Sequence, residues 1–231
     1  SPIAQQLRQA GIPHGNPYRP ARGDWNPLRT GKTATLTRFL SYMQPTGPEF
    51  GGYRLWTLQE LASWTPLMKS STLFQKKGKE VIEKLAKERK EGMSVEELFD
   101  VYTSVFIPEA LEKAIKLEPA WLYDQALKEK QKALTFPYRV YFERGVEEMK
   151  QQPKVVIGTI HSVKGGQADT VILFPDLSLQ GAKQFSVVGS EGYDAVIRQF
   201  YVGVTRTQDR LVVPMPAKSP GWIPELVNHG E

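Results

Sequence analysis

Two short β-branched runs, Val155-Val156-Ile157 and Val171-Ile172-Leu173-Phe174, constrain the fold more than any other stretch of the chain. Each has the length and apolar character of a buried strand in a parallel sheet. Between them runs a polar loop carrying His161, Ser162, Lys164 and the pair Gly165-Gly166. Functional groups in open α/β sheets gather in loops at the carboxyl ends of strands, so chemistry is sought there. Further on, Pro175 to Gly192 reads as a long irregular loop, rich in Gly and Ser. Tyr193 to Tyr201 has helical spacing with Val196, Ile197 and Phe200 facing inward, and Leu211-Val212-Val213 reads as another buried strand.

The first two thirds of the chain have a different texture. Ile3, Leu7 and Ala10 share a helical face, Ser1 can cap that helix, Pro2 suits its first turn and Gly11 can close it. Ile12 to Asn26 lacks periodicity and reads as a surface loop, in which Tyr18-Arg19-Pro20-Ala21-Arg22 brings two positive charges. Leu36, Phe39, Leu40 and Met43 then recur at helical spacing. Pro45 to Gly52 reads as a linker and a candidate boundary. From Thr57 to about Lys150 the pattern is helical. Thr57 with Glu60 and Ser94 with Glu97 have capping-box spacing. The charged Lys76 to Glu91 segment reads as a solvated helix face, with Val81, Ile82 and Leu85 as its inner stripe. Pro108, Pro119 and Pro137 mark breaks between helices. Most aromatic residues of this block (Trp121, Tyr123, Phe136, Tyr138, Tyr141, Phe142) are assigned to core packing, although aromatics can also stack on bases.

Composition narrows the chemistry. The absence of cysteine excludes disulfides, thiolate metal sites and a cysteine nucleophile. His14, His161 and His229 are scattered and make no ligand-spaced cluster, so no metal site is expected. A net charge of +5 and an isoelectric point near 9.2 weakly favour a polyanionic partner such as nucleic acid. No apolar run is long enough to span a bilayer and no signal-peptide pattern opens the chain, so a soluble, cytoplasmic protein without membrane contact is expected. The sequence starts directly on a helix signal without Met, and the expectation is a piece of a longer polypeptide.

Three loops invite a phosphate. Arg29-Thr30-Gly31-Lys32-Thr33 has the look of the end of a phosphate-binding loop, but the Walker pattern needs a glycine where Asn26 stands. No apolar strand precedes it and Pro27 intrudes, so the segment is read as a helix entry. A kinase built on Lys32 is thereby disfavoured. The Thr159 to Gly165 loop offers hydroxyls, an imidazole, an ammonium group and backbone amides, a set suited to phosphate recognition. It lacks the paired carboxylates of two-metal chemistry. Arg206, just past a helix and before a strand, can reach a terminal phosphate and neutralise charge during phosphoryl transfer; a surface salt bridge to Asp209 or Glu191 is the plainer alternative.

Taken together, Thr159-Ile160-His161-Ser162-Val163-Lys164-Gly165-Gly166-Gln167 resembles motif V of the UvrD/Rep-type superfamily 1 DNA helicases. Gln199-Phe200-Tyr201-Val202-Gly203-Val204-Thr205-Arg206 resembles their motif VI, in matching order and spacing. The opening helix and Ala10-Gly11-Ile12-Pro13 more loosely resemble the segment after motif IV. The resemblance implies an α/β fold, a RecA-like parallel sheet flanked by helices and interrupted by a mainly helical insertion. It implies a discontinuous second RecA-like domain at 1–47 and 151–231, with the insertion at 48–150. It assigns Thr159, His161 and Ser162 to single-stranded DNA, and Lys164, Gly165, Gln167, Arg198 and Tyr201 to ATP. Arg206 becomes the arginine that contacts the γ-phosphate. Family members usually carry Glu at position 167, where it bonds the ribose; Gln167 keeps the hydrogen bonding and loses the charge.

Walker A, Walker B and motif III are not found in the sequence. In the family they belong to the first RecA-like domain, which cradles ATP and supplies the Mg²⁺ ligands. The implied partners are therefore single-stranded or partly duplex DNA and that other domain of the same polypeptide, and the chain alone is expected to be catalytically silent. The competing expectation is a stand-alone basic nucleic-acid-binding module without ATPase activity, which would bind single strands tightly and with strong salt sensitivity.

Overall fold

The computed structural model describes residues 2–89, 92–216 and 221–227. The capping role of Ser1, the end of the charged 76–91 segment and His229 lie outside the described residues. The protein is a mixed α/β chain in which short parallel sheets are flanked by helices, and contacts group it into two compact units, 1–157 and 158–231.

The first unit is mainly helical. It runs through α1 (Pro2–Gln9), β1 (His14–Gly15), α2 (Thr35–Met43), the hairpin β2 (Glu49–Phe50) and β3 (Tyr53–Arg54), then α3 (Leu58–Trp64). There follow α4 (Gly78–Glu88), α5 (Val95–Val105), α6 (Pro108–Ala114), α7 (Pro119–Gln125), α8 (Lys128–Arg144), α9 (Val146–Lys150) and β4 (Val155–Val156). Local signals set many of these boundaries. Both capping boxes form: Thr57 Oγ1 accepts from Glu60 N and Ser94 Oγ from Glu97 N, and each glutamate bonds back to the cap amide. Gly11, at φ +59°, closes α1 while Ile12 N donates to Leu7 O at 2.8 Å, the bond of a Schellman ending. Pro108 and Pro119 occupy the first turns of α6 and α7, where the missing N–H costs nothing.

An aromatic cluster holds the unit together. Tyr42, Trp56, Trp64, Tyr102 and Phe106 are all essentially solvent-free. Tyr42 stacks on Trp56 at 5.6 Å and meets Trp64 edge-on at 5.3 Å, while Trp56 lies 6.1 Å from Tyr102. Two of its polar handles are paired: Trp56 Nε1 donates to Tyr42 O at 2.8 Å, and Tyr42 Oη donates to Ala114 O at 3.1 Å, whereas Trp64 Nε1 is buried without a partner among the described residues. These contacts bind α2 to the helical block.

Contacts cut the chain between 157 and 158, and α2 buries Leu36, Phe39, Tyr42 and Met43 in the helical core. Several local expectations are corrected here. Pro45 to Gly52 is no free linker: Gly47 N donates to Leu55 O, Leu55 N to Pro48 O, and Gly51-Gly52 turn the hairpin at positive φ. The stretch after Ile12 begins with a buried strand, because residues 13–16 are buried and β1 pairs in parallel with β4. Ala4, rather than the Ile3–Leu7–Ala10 stripe, is the buried residue of α1. Pro137 does not break α8; Leu134, Phe136 and Val140 are buried on either side and packing carries the helix through. Phe142 is not core but 77% exposed.

The second unit comprises β5 (Ala168–Ile172), α10 (Leu179–Phe185), α11 (Glu191–Val204), β6 (Thr207–Val212) and α12 (Pro224–Val227). β5 and β6 pair in parallel, with Val171 opposite Leu211 and Ile172 opposite Val212, and α10 and α11 form the crossover. The core is small: Leu173, Leu177, Val196, Phe200 and Ile223. The stretch read as irregular from Pro175 to Gly192 contains α10, capped by Ser178 Oγ accepting from Gly181 N at 3.1 Å. The strands are less buried than their composition predicts. Ile172 is 59% and Leu211 37% exposed, Ile197 points outward from α11, and β4 and β5 pair with β1 and β6 rather than with each other.

Candidate functional site

The two polar loops meet at one end of the β5–β6 pair. Parallel pairing places Ala168 opposite Thr207, so the residues before each strand, 159–167 and Arg206, share the amino-terminal end. Carboxyl ends were expected. The first loop does follow β4 along the chain, but β5 and β6 gather its groups by their starts.

Thr159 organises the loop. Its hydroxyl accepts from Ser162 N at 3.3 Å and caps a single 3-10 turn over Ile160–Val163. Ser162 Oγ donates to Thr159 O at 2.8 Å and the residue is buried, so this hydroxyl stiffens the turn from inside. His161 and Lys164 on the same turn are exposed, and Gly165 follows at φ +90°, a conformation that favours glycine. Gly166 is buried, and Gln167 is exposed immediately before β5.

Arg206 locks the second loop onto the first. Its Nε donates to Val202 O at 3.0 Å, Nη2 to Thr205 Oγ1 at 3.1 Å and Nη1 to Gly166 O at 3.4 Å, while Arg206 O accepts from Ala168 N at 3.0 Å. The side chain is half-buried and makes no ion pair with Asp209 or Glu191. All three of its hydrogen-bonding nitrogens are thus turned to neutral acceptors, which leaves the positive charge uncompensated. On α11, Arg198 and Tyr201 are one turn apart and both exposed, Tyr201 at 68%. Gly203 lets α11 approach closely: a Cβ there would lie 3.0 Å from Leu173 Cδ1 and 3.3 Å from Ile160 Cδ1.

The structure therefore brings Lys164, Gly165, Gln167 and Arg206 to one rim and leaves Thr159, His161, Arg198 and Tyr201 accessible, with Ser162 withdrawn. Sequence reading missed two neighbours. Gln208 Nε2 donates to Gln167 Oε1 at 3.1 Å, which orients that amide, and Thr207 Oγ1 is buried without a hydrogen-bond partner. Only their position right after the motif VI-like segment could have signalled them. Chemically, the rim offers cations, amide donors and a flexible glycine to an anionic group; no general base or nucleophile is paired within it. Among the described residues, no three His, Asp or Glu side chains converge as metal ligands, and no helix is long and apolar enough to cross a membrane. Comparison with protein-family models, curated proteins and solved structures finds no match for this chain.

Proposed function

We propose that the chain forms the second RecA-like part of an ATP-dependent DNA helicase, contributing its motif V- and VI-like segments to ATP hydrolysis and movement along single-stranded DNA. The observation that carries this reading is the bond from Arg206 Nη1 to Gly166 O, which joins the two segments that resemble motifs V and VI. Two stretches forty residues apart in sequence meet through it, which supports a shared phosphate-facing site.

In this reading Lys164, the Gly165 amide, Gln167, Arg198 and Tyr201 face ATP, with Arg206 approaching its terminal phosphate. Thr159 and His161 contact the DNA backbone, and the buried Ser162 shapes the turn that presents them. When bound, ATP would supply the phosphoryl group and Mg²⁺ would neutralise its charge; the rim carries cations and amide donors that suit the nucleotide but no carboxylate cluster for the metal. The Mg²⁺ ligands and the phosphate cradle would come from the other RecA-like domain. Arg206 acts by placing an uncompensated positive charge where negative charge develops on the transferred group.

The test is Arg206→Ala in the intact enzyme, with DNA-stimulated ATPase and nucleotide affinity measured side by side. Turnover should fall by about 10³-fold, the scale of an arginine finger, while ATP affinity changes far less. Normal turnover would remove Arg206 from the mechanism. The 231-residue chain alone should hydrolyse ATP only at background, and robust hydrolysis by it would overturn the assignment.

A further inference from the structure

A cavity of about 690 Å³ in the first unit involves none of the residues assigned above. It is lined by the Arg29–Ala34 segment, the start of β1 with Asn16, and the chain just before β4. Three features point to a ligand. First, its lining includes Arg29, Lys32 and Lys150 but no aspartate or glutamate. Arg29 and Lys32 are exposed and enter no ion pair among the described residues, whereas Lys150 is held by Glu147 at 3.0 Å. Second, α2 starts on the cavity wall with Ala34 at its cap position, so no side chain satisfies its first amides; such a helix start favours an anion. Third, His14 lines the same cavity, is completely buried, and its Nε2 has no partner. Its Nδ1 lies 3.0 Å from Ile12 O; a carbonyl only accepts, so Nδ1 carries the proton and Nε2 carries a lone pair that no described donor meets. Burial, reinforced by Arg8, holds the imidazole below its ordinary pKa and keeps that lone pair free.

The cavity is firmly built. Asn26, which disqualified a Walker loop in the sequence, ties the wall together: its Oδ1 accepts from Asn16 N at 2.7 Å and its Nδ2 donates to Arg19 O and Arg22 O at 2.9 Å each. The volume is that of a small-molecule site.

We infer that this cavity binds a nucleotide unit, its phosphate held by Arg29, Lys32 and the start of α2, and a sugar hydroxyl or base amino group donating to His14 Nε2. A free nucleotide and a unit of a single strand share this chemistry. The site shares no residue with the Arg206 rim and stands or falls independently of the helicase reading.

Isothermal titration of the full 231-residue chain with AMP, adenosine, inorganic phosphate and a short oligodeoxyadenylate tests it. AMP should bind about tenfold or more tightly than either adenosine or phosphate, because each of those lacks one half of the recognition. Tighter binding of the oligonucleotide than of AMP would make a strand the physiological source, and the reverse order a free nucleotide. Arg29→Ala/Lys32→Ala should weaken AMP binding about tenfold, whereas Lys113→Ala/Lys132→Ala, which removes the same charge from exposed helix positions, should change it less than about twofold. His14→Phe, which keeps an aromatic ring against Phe136, should erase the preference for AMP over phosphate. Equal weakening by both double variants, or AMP binding no tighter than phosphate, would overturn the proposal.

Discussion

Removing one oxygen atom from Tyr102 should cost the first unit several kilocalories. The hydroxyl does double service: it accepts from Trp56 N and donates to Trp56 O at 2.9 Å, in a region where both residues are about 1% exposed. Tyr102→Phe keeps the ring stack on Trp56 but strands a buried N–H and a buried C=O. Each abandoned buried group costs about 1–3 kcal/mol, so the two together give an expected loss of about 2–6 kcal/mol. For a unit of this size that lowers the melting temperature by about 4–24 °C. Urea unfolding followed by far-ultraviolet circular dichroism measures it, with an unchanged m-value as the sign that only stability moved. Tyr123→Phe is the control, since its hydroxyl makes one long, exposed contact of 3.5 Å with Thr135; it should stay within about 0.5 kcal/mol of the parent. A Tyr102→Phe loss no larger than that control would refute the claim that these two bonds brace the Leu55–Trp56 segment.

Gly78→Ala would place a Cβ 2.5 Å from Val105 O, a backbone atom that cannot step aside, and should lower the urea midpoint by the equivalent of about 1–3 kcal/mol; an unchanged midpoint would contradict the packing. Stability should fall at both ends of the pH scale. His14, whose pKa burial lowers from 6.5, takes up a proton more readily when unfolded, so stability is present above that value and is lost as pH falls below it; the slope is at most about 1.4 kcal/mol per pH unit, and His14→Phe should flatten it. Tyr42 and Tyr102, whose pKa values burial raises above the ordinary 10.0, contribute stability that is lost as pH climbs past that value, because the unfolded phenols ionise first; a flat profile there in urea melts would count against their burial. Arg206→Lys keeps the charge but not the fork to Val202 O, Gly166 O and Thr205 Oγ1, and should cost the second unit about 1–2 kcal/mol, read by its thermal melt; equal stability would mean that those bonds are dispensable.

Short-range chemistry was legible in the sequence and long-range chemistry was not. The capping boxes at Thr57 and Ser94, the helix-starting prolines and the Gly11 ending are decided within four or five residues, and all form. The α2 stripe and the buried Val196 and Phe200 of α11 follow from periodicity alone. β1 was missed because a two-residue strand has no pattern of its own and is specified by Val155 and Val156, about 140 residues away, with Asn16 Nδ2 bonding Ile157 O at 2.9 Å. α10 was missed because its weakly apolar, glycine-containing sequence depends on the Ser178 cap and on packing against α11. Within the candidate site, residue types pointed to a phosphate. That Arg206 would bond the Gly166 carbonyl, or Gln208 the Gln167 amide, depends on the β5–β6 register, which no local signal carries.

The placement of α2 governs how this protein can be dissected. A cut after Met43 or in the turn beyond it would carry Leu36, Phe39 and Tyr42 away from Trp56, Trp64 and Ala114, leaving one fragment without its keystone and the other with a greasy, unmatched stripe. Deleting the helical block as a cassette would do the same damage from the opposite side. Severing the chain between Ile157 and Gly158 spares every one of these aromatic contacts, so that is where a limited digest or a split-gene experiment should begin.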